Sequence, residues 1–381
     1  MSHRVEYLPL AISSLGTRRQ LSVHRFGAAG ARPKAYLQAA LHADELPGVL
    51  VAQHLLRRLI AADAAGAIRG EIVVVPMANP IGLDQQLLGR HLGRFDIASG
   101  ENFNRHYPML ADAVEAEVGN DLGADAGANV ALIRAAMLRA LARDEPSAEL
   151  PWLRNRLMRL AVDADLVLDL HCDQDALLHI YTGSHLWPAV ADLAADLGCR
   201  ACLLADESGD DPFDEAFSGV WWRLAERFAG KATIPTDACL SATIEWRGQA
   251  DVDDALAAGD ADGLYRFLSR RRLIAGAPPP LPPPLCEGTP LAAVDVVRSP
   301  VPGIILYHLP LGAAVRSGDL VAEVIDPTAA DPAEPRRELR SRTEGLLFAR
   351  SVDRLARPGQ SVAKIAGRVA LPDRVGKLLD N

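Results

Sequence analysis

The run ADLVLDLH, residues 164–171, is apolar at five of its eight positions and ends on a histidine. Leucine and valine at successive positions make both faces of a strand apolar, as in a strand buried between two helical layers. Similar runs occur at residues 35–41, 71–76, 176–182, 201–205 and 242–246. Amphipathic helices are predicted between them at residues 49–62, 129–143, 150–163, 185–197, 213–228 and 254–270. This alternation predicts a three-layer α/β/α domain around a mainly parallel, mixed sheet.

A proline-rich segment, GAPPPLPPPLCEG at residues 276–288, divides the chain. Proline fixes φ and donates no backbone hydrogen bond, so the segment predicts a stiff linker. We therefore expect a first domain over residues 1–275 and a second over residues 289–381. The second consists of short alternating runs between Gly and Pro, which predicts a small all-β, barrel-like module. Its two halves have similar patterns and suggest an internal duplication.

The overall composition excludes several classes of protein. The 381 residues carry a formal net charge of −9, so no broad basic field exists for nucleic acid or anionic lipid. No apolar run is long enough for a membrane span, and the N-terminus lacks the pattern of a signal peptide. We expect a cytoplasmic protein. Its five scattered cysteines favour free thiols, with Cys199 and Cys202 packed in the core.

Three predicted strands carry polar residues at or near their ends. The first ends at His42, with Glu45 in the following turn; the second ends at His171; the third carries Glu245. Such side chains gather at one edge of an open α/β sheet. Two histidines and one carboxylate are a ligand set of catalytic zinc, which keeps a position for water. Glu245 is then the candidate for the carboxylate that takes and returns a proton.

The irregular segment at residues 87–108 contains Asn104 and Arg105. An arginine fork binds a carboxylate through two hydrogen bonds, and the adjacent amide adds a donor. The pair therefore suits a substrate with a free carboxylate. The alternative interpretation is a surface loop whose arginines pair with acidic neighbours.

Each motif also has a simpler interpretation. H-x-x-E occurs by chance in many proteins, and a histidine at the end of a strand is more often a hydrogen-bonded residue than a ligand. Glu245 has a possible partner in nearby Arg247. Only the combination on several strand ends favours a metal site.

In order, the motifs HADE, FNRHYP, LDLHCD and ATIEWRGQ resemble the succinylglutamate desuccinylase/aspartoacylase family, a branch of the zinc carboxypeptidase-like hydrolases. The resemblance spans roughly residues 35–270. It implies one zinc ion per subunit bound by His42, Glu45 and His171, with Glu245 as general base. It also implies that Asn104 and Arg105 hold the substrate carboxylate.

The resemblance further implies an arginine, upstream of the Asn-Arg pair, that polarises the scissile carbonyl. Arg94 is the nearest match and Arg90 the alternative. Relatives often have glycine where this chain has Ala43, and we expect the exchange to be harmless unless a positive φ is required. Asp169 lies on the same side of its strand as His171, where it could orient a ligand or the substrate amine or be a buried acid satisfied by backbone donors.

The last 93 residues resemble the biotinyl/lipoyl-like barrel at the C-terminus of many relatives. A carrier domain presents a modified lysine between its halves, but the corresponding turn, residues 325–341, contains no lysine. We therefore expect this domain to shield the site entrance or to form a subunit contact, which would make a homo-oligomer.

Together these features predict a zinc-dependent amidohydrolase that removes an acyl group from a small N-acyl amino acid or related carboxylate. A metallocarboxypeptidase acting on short peptides has almost the same requirements at the site, and substrate size separates the two. A non-catalytic binding protein on the same fold is the alternative of another class, although it would not need Glu245. Manganese or iron also accept this ligand set.

Overall fold

Up to residue 270 the chain contains both strands and helices, and from Lys34 onward helices separate most strands of the large sheet, as the sequence predicts. The computed structural model describes residues 2–331 and 336–379. The strands of this part are β1 (Arg4–Pro9), β2 (Gln20–Phe26), β3 (Lys34–Ala39), β4 (Glu71–Val75), β5 (Gln86–Leu87), β6 (Arg90–His91), β7 (Leu166–Asp173), β8 (Asp175–Ala176), β9 (His179–Thr182), β10 (Ala201–Leu204) and β11 (Leu240–Gly248). The helices are α1 (Pro47–Ala64), α2 (Pro80–Leu83), α3 (Ala111–Val118), α4 (Ala126–Arg143), α5 (Glu149–Ala161), α6 (Ala191–Leu197), α7 (Phe213–Arg227) and α8 (Asp254–Arg270).

One large sheet has the strand order β1-β2-β4-β3-β7-β11-β9-β10, and β12 (Gly288–Pro290) pairs with β10 at its edge. The central strands β4, β3, β7 and β11 are parallel to one another. Pairing is antiparallel between β1 and β2, between β2 and β4, and between β11 and β9. The predicted mixed, mainly parallel sheet is confirmed.

Helices cover both faces of this sheet. In β4, Ile72 and Val74 pack in the hydrophobic cluster that includes α1, α6 and α8, whereas Val73 and Val75 pack in the cluster that includes α3, α4, α5 and α7. Because both faces are buried, a strand such as β4 is apolar at successive positions. The predicted three-layer α/β/α arrangement is confirmed.

Helix α1 begins two residues after Glu45 and lies very close to β7. Pro47 stands in its first turn, where a missing N–H costs nothing. A Cβ on Gly48 would lie 2.9 Å from the backbone oxygen of Leu170, so only glycine permits this approach. The loop that carries His42 and Glu45 is therefore held between β3 and α1, beside the strand that carries His171.

Two predicted elements differ from the structure. The helix expected over residues 185–197 begins only at Ala191, after a 3-10 turn over Ser184–Leu186. Pro188 lies between the two, and proline cannot continue a helical hydrogen-bond pattern. The strand expected over residues 176–182 is divided into β8 and β9, because β8 pairs with a strand of the C-terminal part instead of the large sheet.

The C-terminal part is all β, as predicted. Its strands are β13 (Val294–Arg298), β14 (Gly303–Tyr307), β15 (Ala314–Val315), β16 (Leu320–Ile325), β17 (Arg337–Arg340), β18 (Gly345–Arg350), β19 (Leu355–Ala356) and β20 (Ser361–Ala366). They form two antiparallel sheets, β13-β20-β18-β15 and β17-β16-β14-β19, around a shared apolar core. Of the turn at residues 325–341, residues 332–335 lie outside the described residues.

The two halves of this barrel exchange strands. The order β14, β15, β16 in the first half matches β18, β19, β20 in the second, as the repeated sequence pattern suggests. Strand β15 pairs with β18, and β19 pairs with β14, so each sheet contains strands of both halves. We refer to residues 294–379 as the barrel.

Two further expectations from the sequence concern membrane-spanning helices and cysteines. In the described part of the chain, no helix has the length and apolarity required to cross a membrane. The five cysteines are free thiols, and Cys199 and Cys202 are buried, as expected of core residues. The Sγ atoms of Cys202 and of Cys286 in the proline-rich segment lie 3.3 Å apart.

Candidate active site

The predicted site residues meet at the C-terminal ends of three central strands of the large sheet, β3, β7 and β11. These three strands are neighbours, with β7 in the centre. His42 follows β3, His171 lies in β7, and Glu245 in β11 is the register partner of His171. Residues from distant parts of the sequence are thus brought together by parallel pairing.

His42, Glu45 and His171 form a tight buried group. Nδ1 of His42 lies 2.9 Å from Oε1 of Glu45, and Nδ1 of His171 lies 2.7 Å from Oε2 of the same carboxylate. One ligand atom from each residue can be chosen so that all lie within 4.8 Å of one another. Among the described residues, these three are the His, Cys, Asp and Glu group able to hold a metal ion.

The outer nitrogen of each imidazole lies beside an oxygen atom of a buried side chain. Nε2 of His42 lies 2.8 Å from Oδ1 of Asn102, and this oxygen also accepts the backbone N–H of Asn104 at 2.8 Å. Because a backbone N–H can only donate, this atom is the amide oxygen, so Nε2 of His42 carries the proton and Nδ1 keeps a lone pair. Nε2 of His171 lies 2.9 Å from Oδ2 of Asp169. Metal-binding histidines typically have such partners, and the residues present fit a divalent cation.

The electrostatics of the group also favour a cation. Burial would raise the pKa of Glu45, but the two histidines lower it well below its usual range. Burial, followed by repulsion from Arg94, lowers the pKa of His42, as a neutral ligand requires. Burial opposes protonation of His171, yet Asp169 and Glu45 raise its pKa well above the usual value. Two carboxylates around this imidazole therefore demand positive charge, which a divalent cation would supply.

Arg94 lies at the group, whereas Arg90 is exposed on β6. Nη1 of Arg94 is 3.2 Å from Nδ1 of His42 and donates to Oε1 of Glu45 at 3.3 Å. The segment is fixed by Gly93, whose carbonyl accepts the N–H of Ala43 at 2.9 Å. Ala43 is not among the described residues with positive φ, so the alanine in HADE causes no backbone strain.

We expect Gly93→Ala to reduce kcat by about 10- to 100-fold, because misplacement of a reacting group by about 1 Å has effects of this size. A Cβ at this position would lie 2.2 Å from the backbone nitrogen of Asp44, so either the segment of Arg94 or the loop that carries His42 and Glu45 must move. Steady-state kinetics and thermal unfolding would measure the effect. Gly259→Ala is the matched control: it lies in α8 with nothing near its Cβ, and should leave kcat unchanged.

Asn104 and Arg105 are buried, so they do not lie on an exposed loop. Oδ1 of Asn104 accepts the N–H of Phe213, the first residue of α7, at 2.8 Å. Nη1 of Arg105 donates to the carbonyl of Asn104 at 2.7 Å. Burial, followed by repulsion from Arg94, lowers the pKa of Arg105. Three nearby carboxylates oppose this shift, and a bound anion would act in the same direction.

Glu245 lies across the same cavity. Its Oε2 atom is buried and has no hydrogen-bond partner among the described residues. Burial, followed by repulsion from Glu45, raises the pKa of Glu245 to about 8. The alternative partner, Arg247, instead forms two hydrogen bonds with Asp260, at 2.7 and 2.9 Å. Glu245 is therefore not occupied by a structural ion pair with Arg247.

These residues line one cavity of about 680 Å³, and the barrel supplies much of its wall. Val294, Val296, Ala349 and Lys364 of the barrel face the same space as His42 and Glu245.

The sequence interpretation missed Asn102 and Lys364. A signal for Asn102 exists in its position two residues before Asn104, but no local pattern connects Lys364 with a site formed by another domain.

Comparison with known proteins supports the family resemblance. The family model for the succinylglutamate desuccinylase/aspartoacylase catalytic domain matches residues 31–131, and the predicted resemblance is confirmed. Curated protein sequences give no match. A crystal structure of a succinylglutamate desuccinylase/aspartoacylase family protein from Shewanella amazonensis is 25% identical, with a TM-score of 0.81, and the match covers 95% of this chain and 98% of that chain.

Two further structures share the fold across nearly the whole chain. A succinylglutamate desuccinylase/aspartoacylase from Shewanella frigidimarina is 22% identical, with a TM-score of 0.82 and coverage of 96% of this chain and 97% of that one. The product-bound ectoine utilization protein EutE from Ruegeria pomeroyi is 20% identical, with a TM-score of 0.66 and coverage of 96% and 94%. The similarity therefore includes the barrel as well as the α/β domain.

Proposed function

We propose that this protein is a zinc-dependent amidohydrolase that removes the acyl group from a small N-acyl amino acid or a related carboxylate. The observation that carries the proposal is one cavity that contains a metal-ligand group, a buried Asn-Arg pair and a carboxylate whose buried Oε2 atom has no hydrogen-bond partner among the described residues. The match to a catalytic-domain family of amide hydrolases supports this chemistry. Each group has a separate part in the reaction.

His42, Glu45 and His171 would hold one zinc ion per chain. Two imidazoles and one carboxylate leave a coordination position for water, as in catalytic rather than structural zinc sites. The bound cation would supply the charge that acidifies a water molecule and polarises the acyl oxygen. Metal analysis of the purified protein tests this part of the proposal. A non-catalytic binding protein would contain no bound metal, and added zinc would not increase its affinity for its ligand.

The other residues act on the substrate. Arg105 and Asn104 bind its carboxylate, and an N–H of Arg94 donates a hydrogen bond to the acyl oxygen as negative charge develops there. Glu245 accepts a proton from the attacking water and returns it to the departing nitrogen, so that the C–N bond breaks with a neutral amine as product. Stabilisation of the developing oxyanion is usually the largest single contribution to such a reaction.

The position of the barrel favours a small substrate over a peptide. Barrel residues such as Val296, Ala349 and Lys364 form part of the wall of this cavity of about 680 Å³, a volume typical of small-molecule sites. Incubation with a panel of N-acyl amino acids and short peptides, with release of amine as the readout, tests this directly. Cleavage of peptides alone would replace the proposal by the metallocarboxypeptidase alternative.

Arg105→Lys should raise KM by about 10- to 100-fold with little change in kcat, because lysine keeps the charge but loses the two-point contact worth about 1.5–3 kcal/mol. The measurement is steady-state kinetics with an N-acyl amino acid and with its carboxamide. The wild type should bind the carboxamide much more weakly than the carboxylate, and this difference should be smaller in the variant, which keeps the charge but lacks the two-point contact. Arg90→Lys, on the exposed hairpin, is the control. A fall in kcat at constant KM would contradict the assignment.

A further inference from the structure

The loop that follows His171 belongs structurally to the barrel. Strand β8 (Asp175–Ala176) leaves the large sheet and pairs with β18 of the barrel, with Ala176 opposite Ala349. The N–H of Leu177 donates to the carbonyl of Phe348 at 2.8 Å. We call residues 173–177 the bridging loop. It connects a predicted metal ligand directly to the second domain.

Side chains strengthen this connection. Nζ of Lys364, in β20, donates to Oδ2 of Asp173 at 2.6 Å. Arg350, in β18, donates to Asp175 at 2.7 Å. Between these two ion pairs, Oε1 of Gln174 accepts from the hydroxyl of Ser351 at 3.1 Å. Three successive residues of the bridging loop are therefore held by barrel side chains.

The same loop contacts the segment after Glu245. Gly248 is the register partner of Asp173, and the N–H of Gln249 donates to the carbonyl of Gln174 at 3.2 Å. A Cβ on Gly248 would lie 2.8 Å from that carbonyl oxygen, so the two segments are in direct contact. A shift of the bridging loop would thus move both the end of β7 and the end of β11.

Lys364 differs from an ordinary interdomain cation in its position. It lines the cavity together with Glu245 and Asp173, and its pair with Asp173 is partly shielded from water. A lysine ammonium has three donors, and only the contact with Asp173 is needed for the ion pair. The ion pair therefore lies on the cavity wall, two residues beyond His171, instead of on the outer surface.

We propose that Lys364 is a positioning residue of the hydrolytic site: through Asp173 it fixes the bridging loop, and with it the relative placement of His171 and Glu245. The barrel then contributes to the reaction itself, beyond shielding the site. The activity part of this proposal rests on the proposed function; the part that concerns the order of the loop does not.

The test compares Lys364→Met, Lys364→Arg and Lys377→Met in the full-length metal-loaded protein. Lys364→Met should lower kcat by about 10- to 100-fold, the usual size of effect for residues that orient ligands, with KM nearly unchanged. Lys364→Arg, which restores the contact with Asp173, should recover much of the activity. Lys377→Met is the matched control, because Lys377 also forms an ion pair with an aspartate of the α/β domain, Asp210.

Two further readouts separate positioning from other roles. Hydrogen exchange of the amides at residues 172–177 should become faster in Lys364→Met and stay unchanged in Lys377→Met. Combination with Asp173→Asn should add little to the loss of kcat, since both changes break one interaction.

The possible outcomes are distinguishable. A rise in KM at constant kcat would overturn the proposal in favour of direct substrate binding by Lys364. Unchanged kcat and unchanged exchange in Lys364→Met would show that the pair only joins the domains. If the wild type hydrolyses no N-acyl substrate, the proposed function fails, while faster exchange in Lys364→Met would still support the bridging-loop part.

Discussion

Glu245→Gln should lower kcat by about 10²- to 10⁴-fold, the range associated with removal of a general acid–base group. Glutamine has nearly the same shape, so the cavity and the packing of β11 should be preserved. Because Glu245 is not in the metal-ligand group, bound zinc should remain at the wild-type level. The measurement is single-turnover and steady-state kinetics on an N-acyl amino acid, with metal analysis of the same sample. Glu226→Gln, at an exposed position on α7, is the control.

Two results would contradict the assignment of Glu245. Full activity in Glu245→Gln would exclude it as the proton carrier. Loss of metal together with activity would make the residue a ligand or an essential support of the ligand group. Intermediate activity that recovers at higher pH would indicate that hydroxide replaces the base in the variant, which is consistent with the proposed part of Glu245.

The same substitution, which lowers kcat, should increase the stability of the protein at high pH. Burial raises the pKa of Glu245 from 4.5 to about 8, so the folded state holds this proton more tightly than the unfolded state does. Between these pH values the free energy of unfolding therefore decreases as pH rises. Glutamine does not titrate and avoids this decrease. After metal removal, thermal unfolding of wild type and variant should coincide near pH 4.5, and the variant should be the more stable near pH 9.

The central strands and the local motifs were predictable because their signals are local. Strand β4 is apolar on both faces since helices cover both, and the short spacing of His42 and Glu45 places both on one turn. Parallel pairing of strand ends then brings His171 to them without any further information. The part of the site built by adjacent strands therefore follows from the sequence.

The edge strands and the barrel contribution were not predictable in this way. Strand β1 is mostly exposed and carries charged residues, so it lacks an apolar run, although it pairs fully with β2. The prediction of one strand over residues 176–182 was wrong because β8 pairs with β18, and these two strands are far apart in the sequence. Lys364 lies in the cavity wall because the two domains pack together in the same way. Such features depend on tertiary contacts that no local pattern records.

Glu45→Gln should weaken metal binding by at least about 100-fold, since loss of even a supporting partner costs about 10- to 100-fold. The Glu45 carboxylate faces Nδ1 of both histidines and also accepts the N–H of Cys172 at 3.1 Å. Glutamine would keep the size of the side chain but remove the negative charge that a divalent cation requires. Activity should fall below detection at stoichiometric zinc and return only in part when excess zinc is added.

Asp44→Asn is the matched control, because Asp44 is the adjacent carboxylate in the same cavity. Its Oδ2 accepts from Nε2 of Gln249 at 3.2 Å, and Asp44 is not part of the metal-ligand group. After dialysis against a chelator and reloading, the wild type and Asp44→Asn should each retain about one zinc ion per chain, as expected for a single catalytic site. Both should also unfold at higher temperature with zinc, since a ligand that binds only the folded state stabilises it. Glu45→Gln should show neither effect. If Asp44→Asn lost the metal and Glu45→Gln kept it, the ligand would be the other carboxylate of the HADE motif, and the orientation of the whole site would have to be reversed.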